Sequence, residues 1–449
     1  MSFLSPFALP GLVVTSLSVL AIVLPIVAVV VAVTPYIAAT MVALFRRDPG
    51  GVFVPHGAAT QSRGWALACL IVSVLGLVAV QPRYFRSVRA APAQSEGGDD
   101  LRAAIAIDLK ASMDSLPCAG VVVGIVQPSG NEVLGFGRRS LSSAAPPDGE
   151  TVYEIGGMTQ VFTGLLFTRM VEKGLVRMDQ PVQSLVPDTV SIPINNGQPI
   201  ELRHLATRSS GLPRLGKAPT SPILDLLPPF SRAGPPRSTR WLYDLLSSFI
   251  ITHPPGTHVD DSDLGTGLLG HALEQAAKTD YDALLQREVC SPLGLRDTRV
   301  KLTSSMSSRL AEGVQMGAGS YGGWYVASPV HRWPKGTIPG AADLCSTAND
   351  LLTLLRAHLA GFPLATALAE TRHAALRVEG QPDVGLGWLI EPTASGDSLV
   401  WQQGVAGTSH AYMAFIDGRG VGVVVLANGP VDVAFVGKRV LNRLLAPNI

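Results

Sequence analysis

Charge is scarce in this sequence. Of its 449 residues only 15% are charged and 6% are aromatic, and four cysteines are scattered along the chain. The 35 Lys and Arg nearly balance the 34 Asp and Glu, leaving a formal net charge of +1. No basic run with interleaved aromatic residues occurs, which argues against a nucleic-acid partner. Cys69, Cys118, Cys290 and Cys345 form no C-x-x-C pair, so neither a zinc knuckle nor a thioredoxin-type redox site is expected. Cys69 falls in an apolar run, and the other three read as buried or half-buried thiols. No metal and no cofactor is expected. With 47% hydrophobic residues and so little charge, part of the chain is expected to sit in lipid.

That expectation falls on the first hundred residues. From Gly11 to Phe45 there is no charged residue at all, and the stretch exceeds the roughly 20 residues needed to cross a bilayer. Pro25 and Pro35 interrupt it, and Arg46 and Arg47 close it. A second apolar run, Trp65 to Val80, is bordered by Arg63 and Arg83. Residues 1–83 are therefore read as a membrane region with two transmembrane helices, about 11–45 and 64–81. The long run and the lack of a basic start argue against a cleaved signal peptide. A cytoplasmic loop holding Arg46, Arg47 and Arg63 would place both termini outside, so the rest of the chain is expected to be extracytoplasmic. Arg83, Arg86 and Arg89 pull the other way. The spans carry no charge, which suits an anchor in lipid better than a transport path. Residues 84–100 read as a linker, with small and polar residues from Ala90 to Asp100.

From about Leu101 the texture becomes that of a globular α+β protein. LRAAIAIDLKASMDSL has apolar residues at three- and four-residue spacing and predicts a helix. CAGVVVGIVQPSG and NEVLGFGRRSL predict two strands around a Pro-Ser-Gly turn. QVFTGLLFTRMVEKGLV predicts a helix closed by Gly174. AYMAFIDGRGVGVVVLANG predicts two strands, and VAFVGKRVLNRLL a last helix. The fold expected for residues 101–449 is an antiparallel sheet packed by terminal helices, with a helical subdomain between. The proline-rich stretch from Pro213 to Arg240 reads as a surface excursion.

Five phrases in this region carry a family resemblance. YEIGGMTQVFTGLLFTRMVEKGLVRMDQPVQSLVP resembles the nucleophile helix, and the turn beyond it, of the β-lactamase-related, penicillin-binding-protein-like serine hydrolases. IELRHLATRSSGLP resembles that family's segment through His204, Leu205, Thr207, Ser210, Gly211, Leu212 and Pro213. PPGTHVDDSDLGTGLLGHALE, EVCSPLGLRDT and AADLCSTANDLLTLL resemble three more, in order. The resemblance implies acyl transfer by an activated serine. It supplies nucleophile and base as S-x-x-K, one turn apart on one helix face, with a Tyr from a Y-x-N loop and a Lys or His on a late strand.

At the matching positions this chain departs from every one of these. The serine falls on Gly157 and the lysine on Gln160, an amide that is neither base nor cation. Y-x-N becomes Asp261-Ser262-Asp263. The strand's basic residue falls on Trp401, or with a one-residue gap on Gln402. No lysine elsewhere has serine three positions before it. The expectation is a catalytically inactive, membrane-anchored domain that binds a peptide, an acyl-peptide or a protein partner. The alternative is a hydrolase with rebuilt chemistry around His258 and the Asp260 to Asp263 loop, where a carboxylate would activate water. Against it, the loop's carboxylates lack a calcium-loop pattern, and Asp and Ser are preferred helix caps. Thr159 and Thr163 lack a lysine partner and read as structural, as do His204 and Arg203 at a helix start. Trp324, Tyr325 and Trp333 read as packing anchors in a Gly-rich loop.

Overall fold

The computed structural model describes residues 86–88, 100–115, 119–213, 238–260, 262–316, 325–330 and 338–445. The chain divides into two compact units, Met1–Val80 and Gln81–Ile449. Both apolar runs expected to span a membrane lie outside the described residues, as do Asp261, Cys69, Cys118, Trp324 and Trp333. Among the described residues no single helix is long and apolar enough to cross a membrane.

The second unit is built on a seven-stranded antiparallel sheet. Its strands are β1 (Gly120–Gln127), β2 (Gly130–Gly137), β3 (Asp383–Val384), β4 (Leu389–Pro392), β5 (Ser398–Ala406), β6 (Ser409–Ile416) and β7 (Val421–Ala427), in the order β3-β4-β5-β6-β7-β1-β2. The middle strands read as nearly unbroken apolar runs because both faces are covered. Along β1, Val122 and Val126 enter one core while Val121, Val123 and Ile125 enter the other, the two-residue alternation of a strand.

Two helices from opposite ends of the unit cover one face: α1 (Asp100–Ser115) and α8 (Val433–Leu445). The apolar spacing of α8 puts Val433, Val436, Gly437, Val440 and Leu441 inward. Gly437 lets the Tyr412 ring lie against the helix, where a Cβ would meet it at 2.5 Å. Asp108 of α1 ties the pair together by accepting from Arg439 at 2.7 Å and from Arg443.

The other face carries the helical part. Its centre is α2 (Thr159–Glu172), buried on nearly every side, as befits a helix apolar all round. Against it pack α3 (Leu202–Ala206), α5 (Asp263–Ala277) and α7 (Ala365–Arg372), while α4 (Thr239–Ser248) adds Leu242 and Leu246 to the same core and α6 (Ala348–Ala360) lies on β1 and β7. Gly174, with φ +68, ends the α2 turn as its position predicts.

Two details depart from the sequence reading. Arg86–Val88, inside the stretch read as linker, pairs as a strand with Tyr325–Val330, which contains Tyr325. The excursion read as running to Arg240 ends earlier, because Ser238 caps α4 by accepting from Trp241 N at 3.2 Å.

Candidate functional site

The family-like phrases turn out to be joints of the fold. Thr347 caps α6 by accepting from Asp350 N. The buried Asp350 carboxylate then accepts from Arg296 N, Asp297 N and Thr298 Oγ1 at 3.2, 2.8 and 2.7 Å. That latch ties AADLCSTANDLL to SPLGLRDT. His204 stands at the start of α3, where its Nδ1 accepts from Glu201 N at 3.1 Å. Burial lowers the His204 imidazole pKa against the opposing charge of Glu201. Cys290 and Cys345 are buried and form no disulfide among the described residues, and burial pushes the Cys290 thiol far up.

Gly157 sits in a single 3-10 turn, Gly156–Met158, that leads directly into α2. The turn lies backbone against backbone on β5. A Cβ at Gly404 would stand 2.6 Å from Gly157 N and closer still to the Ile155 carbonyl. Gly156 has φ +51, a left-handed value that suits glycine. A Cβ at Gly157 would lie 3.1 Å from Gln403 O and 4.0 Å from Gln160 Nε2. Gln160 therefore lies beside Gly157, one turn on, as the spacing predicts. Its side chain is 3% exposed, and its Oε1 is buried with no hydrogen-bond partner.

The late strand settles which residue faces this turn. Gln402 shares the inward face of β5 with Val400 and Gly404, while Trp401 points to the opposite core. Trp401 is thus excluded from the site: its ring lies 6.1 Å from Tyr412, and Lys438 Nζ stands 5.2 Å over it. Gln402 is 1% exposed and donates to Gly387 O at 2.7 Å, while its Oε1 accepts from Gln403 N at 2.9 Å. Gly387, with φ +89, also abuts the backbone of Gln160. Two glutamines, Gln160 and Gln402, and four glycines, Gly156, Gly157, Gly387 and Gly404, thus meet around this turn.

The threonines of α2 are engaged elsewhere. Thr159 Oγ1 accepts from Leu344 N at 3.2 Å. Thr163 Oγ1 lies 2.7 Å from both Tyr281 OH and Gly340 O.

In the acidic loop, Ser262 is the N-cap of α5, accepting from Gly265 N at 2.8 Å, and Asp263 is the first helical residue. Asp260 pairs with His253 Nε2 at 2.9 Å. The His253 ring stacks on His258 with centroids 4.3 Å apart. Among the described residues no group of three or more His, Cys, Asp or Glu could hold a metal ion. His253 and Gly387 were invisible to motif spacing, since their partners lie at the far ends of other segments.

A sequence model of the family described as Beta-lactamase matches residues 108–446. The chain belongs to the beta-lactamase family. Among its relatives is the D-alanyl-D-alanine-carboxypeptidase/endopeptidase AmpH of Escherichia coli (strain K12). The two are 25% identical over 321 residues, covering 68% of this chain and 78% of AmpH. A beta-lactamase of Pseudomonas fluorescens is 22% identical over 363 residues, covering 73% of this chain and 94% of its own. In fold, the octameric penicillin-binding protein homologue from Pyrococcus abyssi matches with a TM-score of 0.65 at 22% identity, covering 77% of this chain and 78% of its own. A class C beta lactamase from Rhodobacter sphaeroides matches at 0.63 and 20% identity, covering 78% of this chain and all of its own, 100%. The antiparallel sheet and helical subdomain expected from the sequence are therefore the family fold.

Proposed function

We propose that this beta-lactamase-family domain binds its ligand without hydrolysing it. The observation that carries the reading is the turn at Gly157. It offers no hydroxyl, its neighbour Gln160 offers no base, and the β5 residue on the same face, Gln402, is a neutral amide held by Gly387. Losing nucleophile, base and cation together removes the covalent route itself rather than slowing it. The name of the AmpH relative points to peptides ending in D-alanine as the ligand class to try first. We place the domain outside the membrane, tethered by the two apolar runs of residues 1–83, which resist extraction from membranes in alkaline carbonate if this is so.

The test is covalent labelling of the full chain. A fluorescent penicillin and a fluorophosphonate are expected to leave its intact mass unchanged. A stoichiometric adduct with either reagent would refute the reading.

One observation supports a second reading, hydrolysis by rebuilt chemistry at the acidic loop. His253 and Asp260 form an imidazole–carboxylate pair at 2.9 Å, the pairing used in general acid–base chemistry, and the ring would have to turn its buried Nδ1 outward to reach water. Turnover of an ester or D-alanyl peptide that disappears in His253→Ala, with no covalent adduct, would establish it over the first.

A further inference from the structure

The turn at Gly157 holds a polar group that the fold leaves unused. From Thr151 to Thr168 every residue is buried except Gly157, so the missing side chain leaves a notch that opens to solvent at that one point. The notch ends on Gln160. A Cβ at Gly157 would stand 4.0 Å from Gln160 Nε2, with only the backbone of β5 nearer. Gln160 is 3% exposed, and its Oε1 has no hydrogen-bond partner among the described residues. The neighbouring polar groups are engaged. Gln402 uses both arms of its amide, on Gly387 O and Gln403 N, and Thr159 Oγ1 is taken by Leu344 N.

The chemistry of Gln160 decides what fits. An amide offers donors on one arm and an acceptor on the other, and exchanging the two arms alters neither. The last torsion of a glutamine is broad, so an empty notch lets the amide turn both arms toward a ligand. No residue from Gly156 to Gln160 or from Gln402 to Val405 is charged. An ammonium serves only the acceptor arm and a carboxylate only the donor arm, and each brings an unpaired charge against these neutral walls. The N-terminus of α2 favours an anion by a factor of about two to five. A carboxylate forfeits more, because the acceptor arm stays buried and unpaired, a factor of about five or more. A primary carboxamide serves both arms and brings no charge.

We propose that the notch at Gly157 takes the neutral carboxamide end of an amidated peptide. The ligand's NH2 donates to Gln160 Oε1, and its carbonyl accepts from Gln160 Nε2. This rests on the reading of the turn as a binding site and narrows it, since the ligand ends in an amide rather than a free carboxylate.

The experiment is calorimetric titration of the detergent-solubilised full chain with N-acetyl-D-alanyl-D-alaninamide and with the free acid of the same peptide. Both peptides are recovered afterwards and checked by mass spectrometry. The amide is expected to bind about tenfold tighter. Gln160→Met keeps an unbranched side chain but removes both arms, and is expected to weaken the amide about tenfold and the acid far less. Gln160→Lys puts a cation in the notch and is expected to reverse the order. Melting curves show whether each variant is folded; should Gln160→Lys unfold the chain, Gln160→Met decides alone. Equal affinities in the unsubstituted chain, no binding of the amide, or a folded Gln160→Met that keeps the parent's preference would each overturn the proposal. Intact recovery with equal affinities overturns this inference and spares the non-hydrolysing reading. Cleavage of either peptide overturns that reading instead, and the order of affinities still decides this one.

Discussion

His358, on α6, is fully enclosed with both ring nitrogens lacking hydrogen-bond partners. Its ring stacks on Phe415 at 5.3 Å and meets Trp388 edge-on at 5.2 Å. Burial, and secondarily the charge of Arg372, pushes its pKa down from 6.5 to about 3. The folded state thus excludes a proton that the unfolded chain takes up below pH 6.5. The sign follows directly. The stability tied to this residue is intact above pH 6.5 and is lost as pH falls toward the folded value near 3. The slope approaches about 1.4 kcal/mol per pH unit below pH 6.5, so going from pH 7 to pH 4.5 costs roughly 2–3 kcal/mol at this site. His358→Phe removes the titration and also the unpaired polar atoms, whose burial costs about 1–3 kcal/mol. The larger ring offsets part of that gain by crowding. Chemical denaturation followed by Trp388 fluorescence at several pH values should show the variant gaining on the parent by about 1.4 kcal/mol per unit below pH 6. A stability difference that stays flat from pH 7 to pH 4.5 would refute the reasoning, whatever its size at neutral pH.

Other consequences are simpler to read. Gly404→Ala should destabilise by about 3 kcal/mol, since its Cβ meets the backbone of the Gly157 turn; a drop in denaturation midpoint checks it. Asp350→Ala strands the two backbone donors Arg296 N and Asp297 N and leaves the Thr298 hydroxyl with Ser346 alone, and should cost about 3 kcal/mol by the same measurement. Burial alone would raise the Asp108 carboxyl, but Arg443 and Arg439 hold it below its usual range. Its stability contribution is present above pH 3.8 and lost as pH falls through the lower folded value. Asp108→Asn should therefore lower stability by about 1 kcal/mol at pH 7 and by less as acid is added, because both arginines are partly exposed.

The sequence told more about the scaffold than about the site, and the reason is local. Apolar spacing in VAFVGKRVLNRLL and the unbroken VGVVVLA are periodic signals, and they appear as α8 and β7. The S-x-x-K positions could be placed because both lie within one helical turn, so Gly157 and Gln160 were found side by side. The strand residue could not be fixed that way. A strand inverts its faces at each step, and whether Trp401 or Gln402 faced α2 depended on register with β6, in which Gln402 opposes Met413. The His253–Asp260 pair and the contact of Gln402 with Gly387 join residues whose separation carries no repeating pattern. Only the folded chain brings them together.

The latch at Asp350 has a consequence for how such a chain drifts. The carboxylate is buried and all three of its donors are matched, so a substitution that removes it falls directly on the folded population. Gly157, Gln160 and Gln402 are built into the same frame, Gly157 by the close approach of β5 and Gln402 by its bonds to Gly387 O and Gln403 N. Selection for folding and selection for chemistry therefore read some of the same letters. Any residue that enters those positions has to satisfy the packing before it can serve a reaction.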